Sequence, residues 1–283
     1  MKFTLALAQI DTRLGDQAAN LEKHLEMIRS ATKQGADLVV FPELSLSGYF
    51  LMDLAPTVAL KTEDENPIFQ ALLAESQKID IVVGFVEEDA RHNLYIAAAY
   101  LSLGEIVHVH RKIYLPTYGM FDDQRFFASG NKIRAFDTRF GRIGLLICED
   151  FWHASPPYLL FMDGAEVQIY ISASPSRGVT EDEQLESARW VGQVSASYAS
   201  LYTSFVANTN RVGYEDGINF WGGATLYDPN GDLVARGPML DEALTLAEVD
   251  LGELRRARLR LPLLSDERPE LVQRELNRIL QKD

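Results

Sequence analysis

One thiol, one carboxylate and one ammonium stand at the ends of three apolar runs. The chain's single cysteine, Cys148, closes the run Ile143-Gly144-Leu145-Leu146-Ile147 and is followed by Glu149-Asp150-Phe151-Trp152. Glu43 follows Val39-Val40-Phe41-Pro42, and Lys112 follows the run Ile106–Val109 by way of His110-Arg111. A residue at a strand end is held by a rigid sheet yet opens on a crevice, a common setting for catalytic groups. A thiol is a good nucleophile only as its thiolate. A carboxylate beside it can take the proton. An ammonium nearby favours the thiolate and can hold an oxyanion. The three types together suit acyl transfer from an amide or a nitrile. Each alone has a plainer explanation: a buried structural thiol, an exposed loop glutamate, a solvated lysine.

A histidine base is the usual partner of a catalytic cysteine, and the chain has five histidines. His24 falls on a helical pattern and is expected at the surface, and His92 in a turn. His108 and His110 share one strand face, so two metal ligands are conceivable, with His153 as a third. A fixed zinc site needs three or four such ligands, and none is expected here. No papain-like or caspase-like cysteine signature is present.

The elements that must position the trio can be read from periodicity. Phe3–Ile10 reads as a strand, Gln17–Lys33 as an amphipathic helix with Leu21, Leu25 and Ile28 at helical spacing, and Asp37–Phe41 as a short buried strand. Pro67–Lys78 reads as a helix. Ile79–Val86, Leu94–Leu101, Ile106–Val109, Lys132–Asp137 and Arg142–Ile147 read as strands. Pro156–Asp163 is a predicted helix, Val167–Ser172 a strand, Glu181–Ser197 a long helix and Leu201–Asn208 a strand. Gly223–Tyr227 and Leu233–Arg236 form a predicted hairpin around Asp228-Pro229-Asn230-Gly231. Ala243–Val249 is the last strand, and the tail is predicted to be helical. Helices and strands alternate early and strands cluster later, which suits an α/β sandwich of two sheets, although periodicity alone does not separate it from a doubly wound single sheet.

Length and composition fit this picture. The chain has 283 residues, 47% of them hydrophobic, enough for one large domain spanning 1-283. The formal net charge is −14 and the pI about 4.8. So acidic a surface repels phosphate backbones and anionic lipid, so nucleic acid and membrane surfaces are not expected partners. A single cysteine excludes an internal disulfide and any multi-cysteine metal site. Phe3–Ala8 is too short for a signal core, and no apolar run is long enough to span a bilayer. The expected compartment is the cytoplasm.

Three stretches carry a resemblance. Phe41-Pro42-Glu43-Leu44, Arg111-Lys112-Ile113-Tyr114-Leu115-Pro116 and Gly144-Leu145-Leu146-Ile147-Cys148-Glu149-Asp150 together resemble the nitrilase superfamily of carbon–nitrogen hydrolases. The run from Ala207-Asn208 to Trp221-Gly222-Gly223 is similar to it as well. The resemblance implies a four-layer α-β-β-α sandwich, Glu43 as general base, Lys112 as catalytic lysine and Cys148 as nucleophile. It implies no metal or organic cofactor, and assembly as a homodimer or a larger homo-oligomer. The tail 250-283, with Leu271, Leu276 and Leu280, is the expected subunit contact.

Within that family the chain is most similar to the glutaminase domain of glutamine-dependent NAD synthetases. The matching residues are Leu115-Pro116-Thr117-Tyr118-Gly119, Phe121 to Phe127, Cys148 to Trp152 and Ile171 to Pro175. The synthetase domain and its Ser-Gly-Gly phosphate loop are not in this sequence. Many family members carry a second glutamate after the lysine. Met120 stands at that place here, with Asp122 and Asp123 beyond it, and Asp123 is the candidate substitute.

The expected reaction is hydrolysis of a linear amide through a cysteine thioester, releasing ammonia or an amine. The backbone N–H of Glu149 is the expected second oxyanion donor. Tyr118, Trp152, Phe121, Ser174 and Tyr49 are the expected substrate-binding residues. Lys112→Ala is expected to lose at least ~10²–10³ in rate while folding normally. Other readings share the trio: N-carbamoyl hydrolysis, acyl transfer to an amine, and a ligand- or partner-binding relative without turnover. A redox-sensing thiol explains Cys148 but not the glutamate motif.

Overall fold

The computed structural model describes residues 1–62, 66–178 and 185–281. Among the described residues fourteen strands and eight α-helices run in order β1 Lys2–Gln9, α1 Gln17–Lys33, β2 Leu38–Val40, α2 Pro67–Ser76, β3 Asp80–Glu88, β4 Leu94–Ser102, β5 Glu105–Arg111 and α3 Asp123–Phe126. They continue with β6 Ala135–Thr138, β7 Gly141–Ile147, α4 Ser155–Met162, β8 Val167–Ser172, α5 Glu186–Leu201, β9 Phe205–Asn210, β10 Val212–Glu215 and β11 Ile218–Trp221. The last are β12 Thr225–Tyr227, β13 Leu233–Arg236, β14 Ala243–Asp250, α6 Leu251–Arg260, α7 Leu263–Asp266 and α8 Pro269–Leu280.

Two six-stranded sheets form, in the orders β14-β1-β2-β3-β4-β5 and β13-β12-β9-β8-β7-β6, with β10 and β11 as a separate hairpin. Each sheet has three parallel strands at its centre, β1-β2-β3 and β7-β8-β9, and antiparallel strands outside them. Parallel neighbours need crossovers. Here α1 and α2 supply them in one half, α4 and α5 in the other.

Three apolar clusters follow from the strand alternation. Leu5, Leu7, Leu38, Val40 and Val82 of the first sheet meet Ile143, Leu145, Ile147, Val167 and Ile169 of the second between the sheets. Ala6, Ala8, Val39, Ile81 and Val83 face outward onto Ile28, Ala31, Phe69 and Leu72 of α1 and α2. Leu146, Tyr170 and Val206 face outward onto Leu160, Val191 and Ala199 of α4 and α5. Helix, sheet, sheet and helix thus make the expected four layers. Among the described residues no helix is long and apolar enough to cross a membrane.

The boundaries differ from the sequence reading in informative places. Leu201-Tyr202-Thr203 reads as the start of a strand, yet α5 runs through Leu201, and Tyr202 N–H donates to Tyr198 O at 2.9 Å. The chain then turns at Thr203, with φ 41°, and the strand starts only at Phe205. Residues 181–184 of the predicted helix Glu181–Ser197 lie outside the described residues. The strand predicted to start at Lys132 starts at Ala135. The hairpin of β10 and β11 is missing from the sequence reading, although Asp216-Gly217 at its turn is a strong signal. Both residues have positive φ, 48° and 78°. The hairpin predicted at Asp228 to Gly231 is present, with Asp228 Oδ1 accepting from Asn230 N–H at 2.8 Å and Asp232 N–H at 3.0 Å.

Candidate active site

The sheets deliver the three chemical groups to one edge. β2 and β7 are central parallel strands, and Glu43 and Cys148 follow their carboxyl ends, where sites of open α/β sheets form. β5 runs in the direction of β3, being antiparallel to β4 as β3 is, so Lys112 emerges on the same side as Glu43. The loop carrying Glu43 lies directly on β3. A Cβ at Gly84 would stand 2.3 Å from Pro42 O and 2.6 Å from Leu44 N, so only glycine admits this approach. Lys112 is fixed by its own backbone: its N–H donates to Ile96 O and its carbonyl accepts from Gly130 N–H, both at 2.8 Å.

There the side chains converge. Lys112 Nζ donates to Glu43 Oε1 at 2.7 Å and to Asp123 Oδ2 at 2.8 Å. Glu43 Oε2 accepts from the N–H of Ala173, just past β8, at 2.8 Å. Asp123 Oδ1 accepts from Tyr49 Oη–H at 2.8 Å. All of these groups are buried. Asp123 therefore occupies the place on the lysine that a second carboxylate would need. An ammonium has three N–H groups, and among the described residues two are engaged. Removing Lys112 would leave two buried carboxylates without a cation, so the expectation that Lys112→Ala folds normally is revised.

Cys148 sits against this cluster, close enough for the charges of Glu43, Lys112, Glu149 and Asp123 to bear on its thiol. It has a positive φ of 46° and opens a 3₁₀ turn over Cys148–Trp152. Such strained backbone belongs to sites that the surrounding fold over-determines. The N–H of Glu149 lies in the first turn, whose amides lack partners within the helix.

Burial governs the titrations. It pushes the Cys148 thiol well above the usual range; the Glu43 carboxylate adds to this and the Lys112 ammonium opposes it. The resting sulfur is therefore the neutral thiol. Burial also raises Glu43 above an ordinary carboxylate, against the pull of Lys112, which makes it a stronger base once ionised. For Lys112 burial lowers the value, but Asp123 and Glu43 more than reverse this and hold it well above an ordinary lysine. The lysine stays a cation.

A cleft of about 350 Å³ opens over Cys148. Of the expected substrate-binding residues, Tyr118, Phe121, Trp152 and Ser174 line it with Glu149. Tyr49 does not; it stands behind Asp123, buried. Sequence reasoning missed Arg177, Glu186 and Trp190, which also line the cleft. Trp190 stacks on Trp152 at 3.7 Å between ring centroids, and the Arg177 guanidinium lies 5.4 Å from the Phe121 ring centre. Arg177 stands two residues past Pro175, the end of the Ile171 to Pro175 motif, which was its one available signal. Tyr118 Oη–H donates to Glu149 Oε2 at 2.8 Å, and burial raises the Glu149 carboxyl above its ordinary value.

The histidines serve structure. His24, expected at the surface, is fully buried between Asn20 O at 2.6 Å and Ser45 Oγ at 2.9 Å, and burial lowers it to about 4. The helix side that carries it faces the Glu43 loop, not water. His92 sits exposed at positive φ, 64°, in its turn. His108 stacks on Phe136 and His153 on Tyr114, while His110 bonds Asp150. Among the described residues no group of three or more His, Cys, Asp or Glu could hold a metal ion.

Comparison with known proteins agrees with the fold and with the family resemblance. The family described as Carbon-nitrogen hydrolase matches residues 4–259. The glutamine-dependent NAD(+) synthetase of Thermotoga maritima is 31% identical over 258 residues, covering 89% of this chain and 43% of that protein. The Aquifex aeolicus synthetase is 32% identical, covering 91% of this chain and 44% of its own length. The chain thus spans less than half the length of these relatives. Among solved structures, the carbon-nitrogen hydrolase from Helicobacter pylori superposes with a TM-score of 0.83 at 23% identity, over 100% of this chain and 99% of that one. The Acinetobacter baumannii glutamine-dependent NAD+ synthetase gives 0.79 at 29%, over 90% of this chain and 47% of that one. With the fold shared and the family match running almost from end to end, this chain belongs to the carbon-nitrogen hydrolase family.

Proposed function

We propose that the chain hydrolyses a linear amide through a thioester on Cys148. The observation that carries this is the Lys112 ammonium, 2.7 Å from Glu43 and 2.8 Å from Asp123 beside a buried thiol. Cys148 Sγ attacks the amide carbonyl carbon while its proton passes to Glu43. The oxyanion that forms is met by the remaining N–H of Lys112 and the backbone N–H of Glu149. The C–N bond then breaks, Glu43 returns its proton to the leaving nitrogen, and ammonia or an amine departs. Glu43 next takes a proton from water, which attacks the thioester. The C–S bond breaks, the acid leaves and the sulfur regains its proton.

The substrate we propose is an amide with an amino-acid tail, glutamine first. The cleft supports this with Arg177 for a carboxylate, and Glu149 and Glu186 for an ammonium. The names of the synthetase relatives, glutamine-dependent, point the same way. N-carbamoyl hydrolysis and acyl transfer to an amine would use the same trio. A cytoplasmic setting belongs to the proposal, since a reducing compartment keeps a lone thiol nucleophile in its reduced form. So does self-association through residues 250–283, where α8 exposes Leu271, Leu276 and Leu280; light scattering on a chain ending before Leu261 tests that part.

The test of the activity is ammonia release across a panel of small amides including glutamine, with Cys148→Ala as control. Release that vanishes in the control is the expected result. Release that persists in Cys148→Ala would overturn the mechanism, and release from other amides only would discard glutamine.

A further inference from the structure

We infer that Asp150 is a positioning residue that sets Lys112 against Cys148; the inference rests on the proposed Cys148 chemistry. Asp150 lies two residues past Cys148 and is fully buried. Its four hydrogen bonds all go to residues beside the two reacting groups. Oδ1 accepts from the N–H of Ile113 at 2.9 Å and of Tyr114 at 3.0 Å, the two residues after Lys112. Oδ2 accepts from Ile147 N–H at 3.1 Å, the residue before Cys148, and from His110 Nε2 at 2.8 Å, two residues before Lys112.

The bonds cross between the sheets. β5, which leads into Lys112, belongs to the first sheet, and β7, which leads into Cys148, to the second. The apolar core between the sheets is not directional and fixes no register at their edge. A carboxylate with four donors is directional. Glu43 makes a comparable crossing to Ala173 N–H, but it must also move protons in the reaction, whereas Asp150 is free to act only as a tie. Three backbone amides can only donate to this carboxyl group, and His110 Nε2 is its fourth partner. Asparagine at 150 would keep the size but aim an NH₂ at one or two backbone N–H donors, so at least one of the backbone bonds would be lost.

The test compares the full-length protein with Asp150→Asn. Two quantities are read: kcat and KM on an amide active in the ammonia-release panel, and the pH profile of Cys148 alkylation by iodoacetamide. A displacement near 1 Å costs about 10²-fold in rate, so kcat is expected to fall by about that much with KM little changed. The alkylation midpoint is expected to move to higher pH, because Lys112 is the cation that lowers the thiol against Glu43, Glu149 and Asp123. An unchanged alkylation profile overturns the inference, even if kcat falls, because loss of structure alone would then explain the rate. A wild-type chain silent on every amide would count against the proposed function only, and the alkylation profile would still decide the role of Asp150. Should Asp150→Asn fail to fold, His110→Phe, which removes one of the four donors, is expected to shift the profile the same way by less. No shift there would likewise overturn the inference.

Discussion

The floor of the cleft and its mouth are built on opposite principles. The floor holds charges shut away from water: Lys112, Glu43 and Asp123 are buried, and each is bound to partners contributed by distant parts of the chain. The mouth holds rings and half-open charges. Tyr118 is 46% exposed, Trp152 stacks on Trp190, and Arg177 lies over Phe121 at the surface. A buried ion pair costs desolvation that only good geometry repays, so the floor tolerates one arrangement. Aromatic stacking is broad and forgiving, so the mouth can vary. On the proposed mechanism the floor sets the reaction, and the mouth sets what reaches it.

The largest effect should come from the floor. Lys112→Ala is expected to lower kcat by at least ~10²–10³ and to destabilise the fold by roughly 3–5 kcal/mol through two unpaired buried carboxylates. Steady-state kinetics and urea denaturation measure the two. Adding Asp123→Asn to Lys112→Ala should restore part of the stability and none of the rate. A Lys112→Ala protein with full stability would break the comparison.

A subtler effect concerns pH. In the proposed mechanism Glu43 must be ionised to accept the thiol proton, and its value is raised by burial. Activity is therefore expected to be lost as pH falls through a point above the ordinary glutamate value of about 4.3. A kcat/KM profile whose acid limb lies at or below that value would place the base elsewhere. The smallest effect belongs to the mouth. Trp190→Ala is expected to raise KM by several-fold, about 1 kcal/mol of lost stacking, with kcat nearly unchanged. A loss in kcat matching that of the floor would erase the distinction.

How much of this could be read from the sequence follows the same division. Glu43, Lys112 and Cys148 stand at strand ends inside motifs, and Asp123 could be named as a candidate, because local pattern carries them. Strand and helix periods showed an α/β chain but could not separate two sheets from one, and the four layers came from the family resemblance. Asp150 was visible as a letter, but its role lies in bonds to backbone amides, which leave no pattern in side chains. His24 misled because helical spacing marks a face, not what covers it. Trp190 on α5 and Trp152 in the turn after β7 stack although far apart in sequence, and no local signal predicts that contact. Glu215 is a similar case. It accepts from the N–H groups of Tyr49 and Phe50 at 2.7 and 2.6 Å and pairs with the buried Arg211 at 2.7 Å, bracing the loop whose tyrosine reaches Asp123.

The protonated resting state of Cys148 has a consequence for survival under oxidative stress. Peroxides attack thiolates, and thiols hardly at all. A sulfur whose burial and acidic neighbours keep its hydrogen in place is spared sulfenic acid formation while the cleft stands empty. On the proposed mechanism it becomes vulnerable only in the moment of turnover, when the substrate's acyl carbon is there to capture the sulfur instead.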